Sequence, residues 1–159
     1  MNRRSFILLS TALLTQNLCA NTKEQITPWQ IIDTTLQHIF PQIDNFKGAS
    51  ILKLKHFIQI ITQEKSFDEK ELEFLIFGAK KLYQREKEFL NLNKQQREIT
   101  LRNFELEYQN WLSLLLYYGL EGMLGDPIYG GNFQKEGWKA LSHNTGLPQP
   151  KYKYGKQNV

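Results

Sequence analysis

The residue types that most often carry chemistry are few in this sequence and lie far apart. The three histidines, His38, His56 and His143, are widely spaced, and no His-Glu-x-x-His or paired-cysteine pattern accompanies them. Cys19 is the only cysteine, so neither an intrachain disulfide nor the Cys-x-x-Cys-His attachment of a c-type haem is possible. A dinucleotide fingerprint, a P-loop and a Gly-x-Ser-x-Gly motif are also missing. The sequence therefore predicts a chain that is not an enzyme and carries no catalytic, cofactor-binding or metal site.

Positive charge is concentrated at the two ends of the chain. The formal net charge is +4, but Arg3 and Arg4 lie at the N-terminus and three lysines lie in a short basic tail, residues 151–159. Residues 21–150 carry 15 Lys and Arg against 16 Asp and Glu. Because nucleic-acid affinity depends on clustered cations, this balance argues against a nucleic-acid partner. The glutamates that lie beside Lys and Arg, as on a solvated helix face, are Glu69, Glu71, Glu73, Glu86, Glu88, Glu105 and Glu107.

Residues 1–20 have the three parts of an export signal. Arg3 and Arg4 precede an apolar stretch over residues 6–14, and the small Ala20 fits the last position before a cleavage site. Paired arginines followed by Phe6 resemble the twin-arginine signal, whose translocase exports folded proteins. The apolar stretch is much shorter than the roughly 20 residues that a membrane-spanning helix needs. The sequence therefore predicts a cleaved signal, a periplasmic protein and no stable transmembrane anchor.

Two other interpretations of this leader stay open. Asn2 and Leu8 depart from the usual twin-arginine pattern, which keeps the general secretory (Sec) route as an alternative. Cys19 offers a lipidation site, although a lipobox has small residues before its cysteine and Leu18 is not small. Cleavage after Ala20 would remove this cysteine.

Apolar residues at steps of three and four predict an all-α fold, a compact bundle of about four helices. Thr27 followed by Pro28 has the form of an N-cap with proline at the first helical position. No stretch alternates apolar and polar residues for long enough to form a strand. Residues 21–150 suffice for one core and are expected to form a single helical domain. The four predicted helices begin at Thr27-Pro28, Gly48-Ala49, Ser66 to Glu69 and Asn93 to Gln96, the last two with the capping-box form.

The fourth predicted helix changes character at Trp111. Between Trp111 and Tyr118, Ser113 is the one clearly polar side chain, so apolar surface surrounds the helix. Such a helix has to be covered on every side. It is therefore either the central helix of the bundle or, in part, a face that a partner covers.

After Tyr118 the sequence predicts a long irregular segment rich in glycine, proline and aromatic residues. Gly119, Gly122 and Gly125 come at steps of three, Asp126-Pro127 initiates a turn, and Tyr129-Gly130-Gly131-Asn132 predicts a chain reversal. A segment of roughly thirty residues exceeds the about 12–15 of ordinary loops, and such segments are usually functional or disordered. Its aromatic residues, which argue against disorder, are Tyr129, Phe133 and Trp138.

One motif in this segment supports a family resemblance. Asp126-Pro127-Ile128-Tyr129-Gly130-Gly131-Asn132, followed by Gly137-Trp138 and by Gly146-Leu147-Pro148-Gln149-Pro150, resembles the gluconate 2-dehydrogenase subunit 3 family. The resemblance covers nearly the whole chain. Features that agree with it elsewhere are the twin-arginine start, Phe40-Pro41 before Gly48-Ala49, and Phe89 before Gln95-Gln96.

The resemblance implies a non-catalytic small subunit of an exported FAD-dependent sugar or polyol dehydrogenase. In such complexes the large subunit binds FAD and oxidises the substrate, and a c-type cytochrome subunit typically passes electrons to the membrane. The small subunit supports folding, assembly and twin-arginine export of the flavin subunit. The alternative, from a different class, is a free-standing exported helical binding module.

The same segment has two interpretations. Either it only closes the bundle, with Gly130 and Gly131 making the reversal and Asn132 bonding its own backbone, or it docks on the flavin subunit through Tyr129 and Trp138. Large aromatic side chains on a glycine-shaped loop suit an interface. The run that contains Trp111 and Tyr118 is the next candidate docking surface.

Overall fold

The computed structural model describes residues 25–146 and 148–153, and over these residues the predicted all-α fold is confirmed. Connections are short, and an isolated β-bridge pairs Ile43 with Phe46. Short 3₁₀ turns lie at Phe89–Asn91, Pro127–Tyr129 and Phe133–Lys135. The α-helices are α1 (Pro28–Ile39), α2 (Ala49–Leu52), α3 (Leu54–Ile61), α4 (Glu69–Arg85), α5 (Lys94–Glu107), α6 (Trp111–Leu124) and α7 (Glu136–Ala140).

Local capping signals position the start of α1 and α5 as predicted. The Thr27 hydroxyl accepts from the Gln30 amide at 3.3 Å and the Gln30 side chain accepts from the Thr27 amide at 2.6 Å. Asn93 and Gln96 form the same reciprocal pair at 2.9 and 3.1 Å. These bonds satisfy amides that the helix leaves without a partner.

The predicted cap of α4 is wrong by two residues. Asp68, not Ser66, caps the helix, and its carboxylate accepts the Lys70 amide at 2.8 Å. A carboxylate at this position also interacts favourably with the positive end of the helix dipole, which a serine hydroxyl does not.

The second predicted helix is two helices, because Lys53 takes a left-handed conformation with φ 58° and ψ 37° between α2 and α3. Leu52 and Leu54 are both fully buried. On an unbroken helix two residues at this spacing would point about 200° apart. The break at Lys53 therefore turns both leucines into the core.

The fourth predicted helix is also two helices. Its first part, α5, ends at Glu107. Its second part, α6, starts at Trp111 after Asn110, which has a positive φ of 78°. Asparagine tolerates this conformation better than most residues. The break redirects the chain, and Phe104 and Trp111 pack edge to face across it, with ring centroids 5.5 Å apart. Leu106 is left exposed.

The predicted end of helical structure at Tyr118 is wrong, because α6 continues to Leu124. Gly119 and Gly122 lie inside it. A Cβ at Gly119 would come within 3.0 Å of the Phe40 ring, and one at Gly122 would do the same at the Phe57 ring. These glycines are thus places of close packing rather than helix breakers.

Helix α6 occupies the centre of the molecule. It contacts α1, α2, α3, α4 and α7, and Trp111 and Leu115 on it are fully buried. The Trp111 indole N–H donates to the Leu75 carbonyl of α4 at 3.0 Å. The other core residues that are fully buried or nearly so include Ile31, Ile32, Leu36, Leu52, Leu54, Ile58, Leu75, Ala79, Leu82, Phe89 and Phe104.

Within residues 25–146 and 148–153, no helix has both the length and the apolar character needed to cross a lipid bilayer.

Candidate functional site

One face of the central helix is both apolar and exposed. Leu116, Tyr117, Leu120 and Leu124 are between 40% and 61% exposed. Their spacing of one, four and eight residues places them on a single side of α6. We call this face, together with the exposed Ser113, the α6 stripe. An exposed row of large apolar side chains on an otherwise buried helix is typical of a protein interaction site.

A groove flanks the α6 stripe on the side of α4. It forms a cavity of about 610 Å³ whose lining includes Phe67, Glu71, Tyr117, Tyr118 and Glu121. The Tyr118 hydroxyl donates to the Glu71 carboxylate, and the Tyr118 ring lies 5.5 Å from the Phe67 ring. Burial, then the bond to Glu71, raises the pKa of Tyr118 well above its usual value.

A second, smaller groove flanks the α6 stripe on the side of α5. It is a cavity of about 280 Å³ lined by His38, Glu98, Arg102, Ser113 and Leu116 among others. His38 Nε2 lies 2.7 Å from Glu98 Oε2, and Arg102 Nε donates to Glu98 Oε1 at 2.6 Å. The hydrogen bond from His38, then that from Arg102, lowers the pKa of the Glu98 carboxyl. The arrangement ties α1 to α5 and leaves the carboxylate charged.

Unpaired carboxylates lie on both edges of the stripe. Glu105 on α5 lines the smaller groove, and Glu121 on α6 lines the larger one. In the described part of the chain neither side chain has an ion pair or hydrogen-bond partner. Partial burial raises the pKa of the Glu121 carboxyl. The site thus combines an apolar centre with acidic edges.

The predicted C-terminal segment is clamped onto the end of α6. The Asn132 side chain is fully buried; its Nδ2 donates to the Gly125 carbonyl at 3.0 Å and its Oδ1 accepts from the Gly137 amide at 2.8 Å. The expectation that Asn132 bonds its own backbone is therefore wrong. Trp138 is 7% exposed and its indole N–H donates to the Leu124 carbonyl at 2.6 Å.

Close backbone contact completes this clamp. A Cβ at Gly131 would come within 3.0 Å of the Gly122 carbonyl, and one at Gly137 would come as close to the Met123 carbonyl. Gly130 has a positive φ of 97°, which favours glycine. Between residues 127 and 140, the segment that was predicted to be irregular thus forms two 3₁₀ turns and α7, packed tightly on α6.

The structure places most of the predicted docking residues inside the protein. Trp111, Tyr118, Gly131, Asn132 and Trp138 are buried, and each is held by packing or hydrogen bonds within the chain. Tyr129 and Gly130 are half-buried. Docking by this set stays a prediction.

The run from Trp111 to Tyr118, a candidate docking surface in the sequence, contains Leu116 and Tyr117 of the stripe, but Leu120 and Leu124 lie beyond it and were missed. Leu116, Leu120 and Leu124 recur every four residues, and this spacing would have shown one outward row had the helix been extended past Tyr118. The signal was present, but the glycines at 119 and 122 suggested an end of the helix instead.

The predicted export signal, Arg3, Arg4 and Phe6, lies outside the described residues. Most of the basic tail also lies outside them, but Lys153 Nζ approaches the Glu64 carboxylate at 3.4 Å. Among the residues that the structure describes, no three His, Cys, Asp or Glu side chains converge in a way that could hold a metal ion.

The fold and the surface together define an all-helical protein with an exposed apolar face, the α6 stripe, of a kind suited to binding another protein. Residues 27–146 match the family described as gluconate 2-dehydrogenase subunit 3. The chain belongs to this family, which confirms the resemblance seen in its motifs. Membership implies an accessory subunit of a dehydrogenase complex. Comparisons with curated proteins and with solved structures gave no match.

Proposed function

We propose that this protein is the non-catalytic small subunit of a periplasmic FAD-dependent sugar or polyol dehydrogenase. In this proposal it binds the flavin-carrying catalytic subunit through the α6 stripe and supports the folding, assembly and export of that subunit. The observation that supports the proposal best is the α6 stripe itself, on a chain that belongs to a family of dehydrogenase subunits.

The position of the stripe suits a permanent partner. Leu116, Leu120 and Leu124 project from a helix whose opposite side forms the core of the molecule. A binding surface on such a rigid element loses little conformational entropy when it is covered. Each further leucine that becomes fully buried adds favourable transfer free energy, of the order of 1 kcal/mol for the half that is still exposed.

In this proposal the partner subunit alone catalyses the reaction. Two of the titratable groups beside the stripe have structural bonds: the Tyr118 hydroxyl is bonded to Glu71, and His38 is bonded to Glu98. FAD is expected on the catalytic subunit, with a c-type cytochrome subunit as the onward electron carrier. The small subunit then contributes surface rather than reacting groups.

Export is the second part of the proposal. Arg3, Arg4 and Phe6 form the twin-arginine-type signal in the sequence. A flavin subunit that has bound its cofactor in the cytoplasm could cross the membrane on the signal of its small partner. This would couple assembly to export, since only the assembled complex would carry the signal.

The test is co-purification from the periplasm of the native host. The tagged full chain is expected to recover a protein with flavin absorbance that oxidises a sugar or polyol. Leu120→Asp places a charge at the centre of the stripe and should lower recovery about tenfold or more, since an interface hot spot is worth about 2 kcal/mol or more. Its melting temperature should stay within a few degrees of the wild type because Leu120 is 40% exposed.

Ile99→Asp is the matched control. Ile99 is an aliphatic residue on α5, is 54% exposed and lines neither groove, so its recovery should equal that of the wild type. A wild-type chain that recovers no flavoprotein would contradict the proposal and favour the free-standing binding module. Equal recovery by Leu120→Asp would show that the partner binds elsewhere on the chain.

A further inference from the structure

The segment that carries the α6 stripe has acidic side chains and no basic ones. The chain contains 20 Lys and Arg, yet none falls in residues 103–134, which include all of α6 and the first turn after it, Pro127–Tyr129. The acidic residues of this stretch are Glu105, Glu107, Glu121 and Asp126. The apolar face is therefore set in a part of the chain from which cations are missing.

Two of these acids are already engaged and two are not. Glu107 accepts from an arginine of α4 at 2.6 Å, and Asp126 accepts the Ile128 amide at 3.0 Å. Glu105 and Glu121 have no such partner in the described ranges and lie on opposite edges of the stripe.

Arg102 in the lining of the smaller groove, and Lys153 next to Glu64 of the larger one, are also engaged. Arg102 donates to Glu98, and Lys153 pairs with Glu64. If a partner covered the stripe with a purely apolar surface, Glu105 and Glu121 would lose water without gaining a counter-charge. That loss is costly unless the incoming surface supplies cations.

The apolar centre and acidic edges of the α6 stripe distinguish between the partners that could cover it. A second copy of the chain would bring carboxylates towards carboxylates, and like charges at an interface disfavour association. An anionic membrane surface attracts basic rather than acidic segments. A protein surface with an apolar centre and basic edges matches the face in both polarity and charge.

We infer that the catalytic subunit presents to the α6 stripe an apolar patch bordered by Lys or Arg, an inference that rests on the proposed function. Glu105 and Glu121 form ion pairs with these basic residues. The leucines then supply the buried contact, while the two carboxylates orient the partner and accelerate its approach. Complementary edge charges act mainly on the association rate and on specificity.

The test uses the full chain and the captured flavoprotein, with association followed by surface-immobilised binding at several salt concentrations. Glu105→Lys together with Glu121→Lys should slow association about tenfold or more at low salt, since electrostatic steering changes rates by this order. Added salt should slow association of the wild type and should not slow that of the double variant. Glu73→Lys, at an exposed position of α4, is the matched control and should change the rate less than twofold.

The outcomes separate this inference from the proposed function. If Leu120→Asp abolishes binding but the double charge reversal behaves like Glu73→Lys, the stripe docks the flavoprotein and the inference about its basic edge is wrong. If light scattering finds a dimer of the wild type that Leu120→Asp converts to a monomer, a second copy occupies the face and the inference is also wrong. A wild-type chain that captures no flavoprotein contradicts both.

Discussion

Replacing Gly78 with alanine tests how the central helix is seated. Gly78 lies in α4 directly beneath the Trp111 indole, and a Cβ there would come within 3.0 Å of three ring atoms. In an exposed helix the same change is favourable by about 1 kcal/mol, because alanine has the higher helix propensity. Here we expect the opposite sign.

The magnitude follows from how firmly the indole is held. Its N–H is bonded to the Leu75 carbonyl at 3.0 Å, and the Phe104 ring packs against it edge to face. Overpacking of a core typically costs about 1–3 kcal/mol, and a ring held on two sides places this site at the upper end. Subtracting the propensity gain leaves a net destabilisation of about 2 kcal/mol, or a fall in melting temperature of roughly 4–8 °C.

The assay is a double-mutant cycle with Trp111→Leu, in urea and by thermal unfolding. Trp111→Leu should itself cost about 3 kcal/mol, since it removes a fully buried aromatic side chain. In that background the space above Gly78 is open, so Gly78→Ala should stabilise the protein by up to about 1 kcal/mol. The sign of the alanine effect should therefore reverse between the two backgrounds.

An equal effect of Gly78→Ala with and without Trp111 would show that the indole does not set the cost of a Cβ at this position. Stabilisation of the wild type by Gly78→Ala would show that the indole yields to an added methyl group at no cost.

Two further predictions concern the residues that the sequence singled out. Trp138→Ala should destabilise the protein by about 3–5 kcal/mol, because the side chain is buried and bonded to the Leu124 carbonyl; a near-native melting temperature with a tenfold loss of flavoprotein recovery would instead show that Trp138 docks the partner. Changing Arg3 and Arg4 to lysine should leave precursor in the cytoplasm, since an ammonium does not reproduce guanidinium geometry; fractionation that finds efficient export of this variant would contradict the twin-arginine route.

The starts of the helices could be predicted from the sequence where the signal is local. Thr27 with Gln30 and Asn93 with Gln96 form capping boxes within four residues, and these bonds need nothing from the rest of the protein. The all-α class likewise follows from apolar periodicity. The family could be recognised for the same reason, because the stretch from Asp126 to Asn132 is contiguous in the chain.

The breaks within the predicted helices could not be predicted, because distant contacts decide them. Lys53 and Asn110 adopt left-handed conformations that direct Leu54 and Trp111 into the core. Neither residue type by itself marks a break. The conformational cost of each is compensated by burial that involves residues far away in the chain.

The candidate site shows most clearly which features follow from the sequence and which follow from the tertiary structure. The sequence alone established that residues 111–118 are strongly apolar, and an apolar helix has to be covered. Only the tertiary structure decided which side is covered: Phe40 and Phe57 pack onto Gly119 and Gly122, and Leu116, Leu120 and Leu124 are left outside. Each of these glycines contacts an aromatic ring that lies some 65 to 80 residues away in the chain. From the sequence alone such a glycine predicts the end of a helix, because only folding brings the ring into the space beside it.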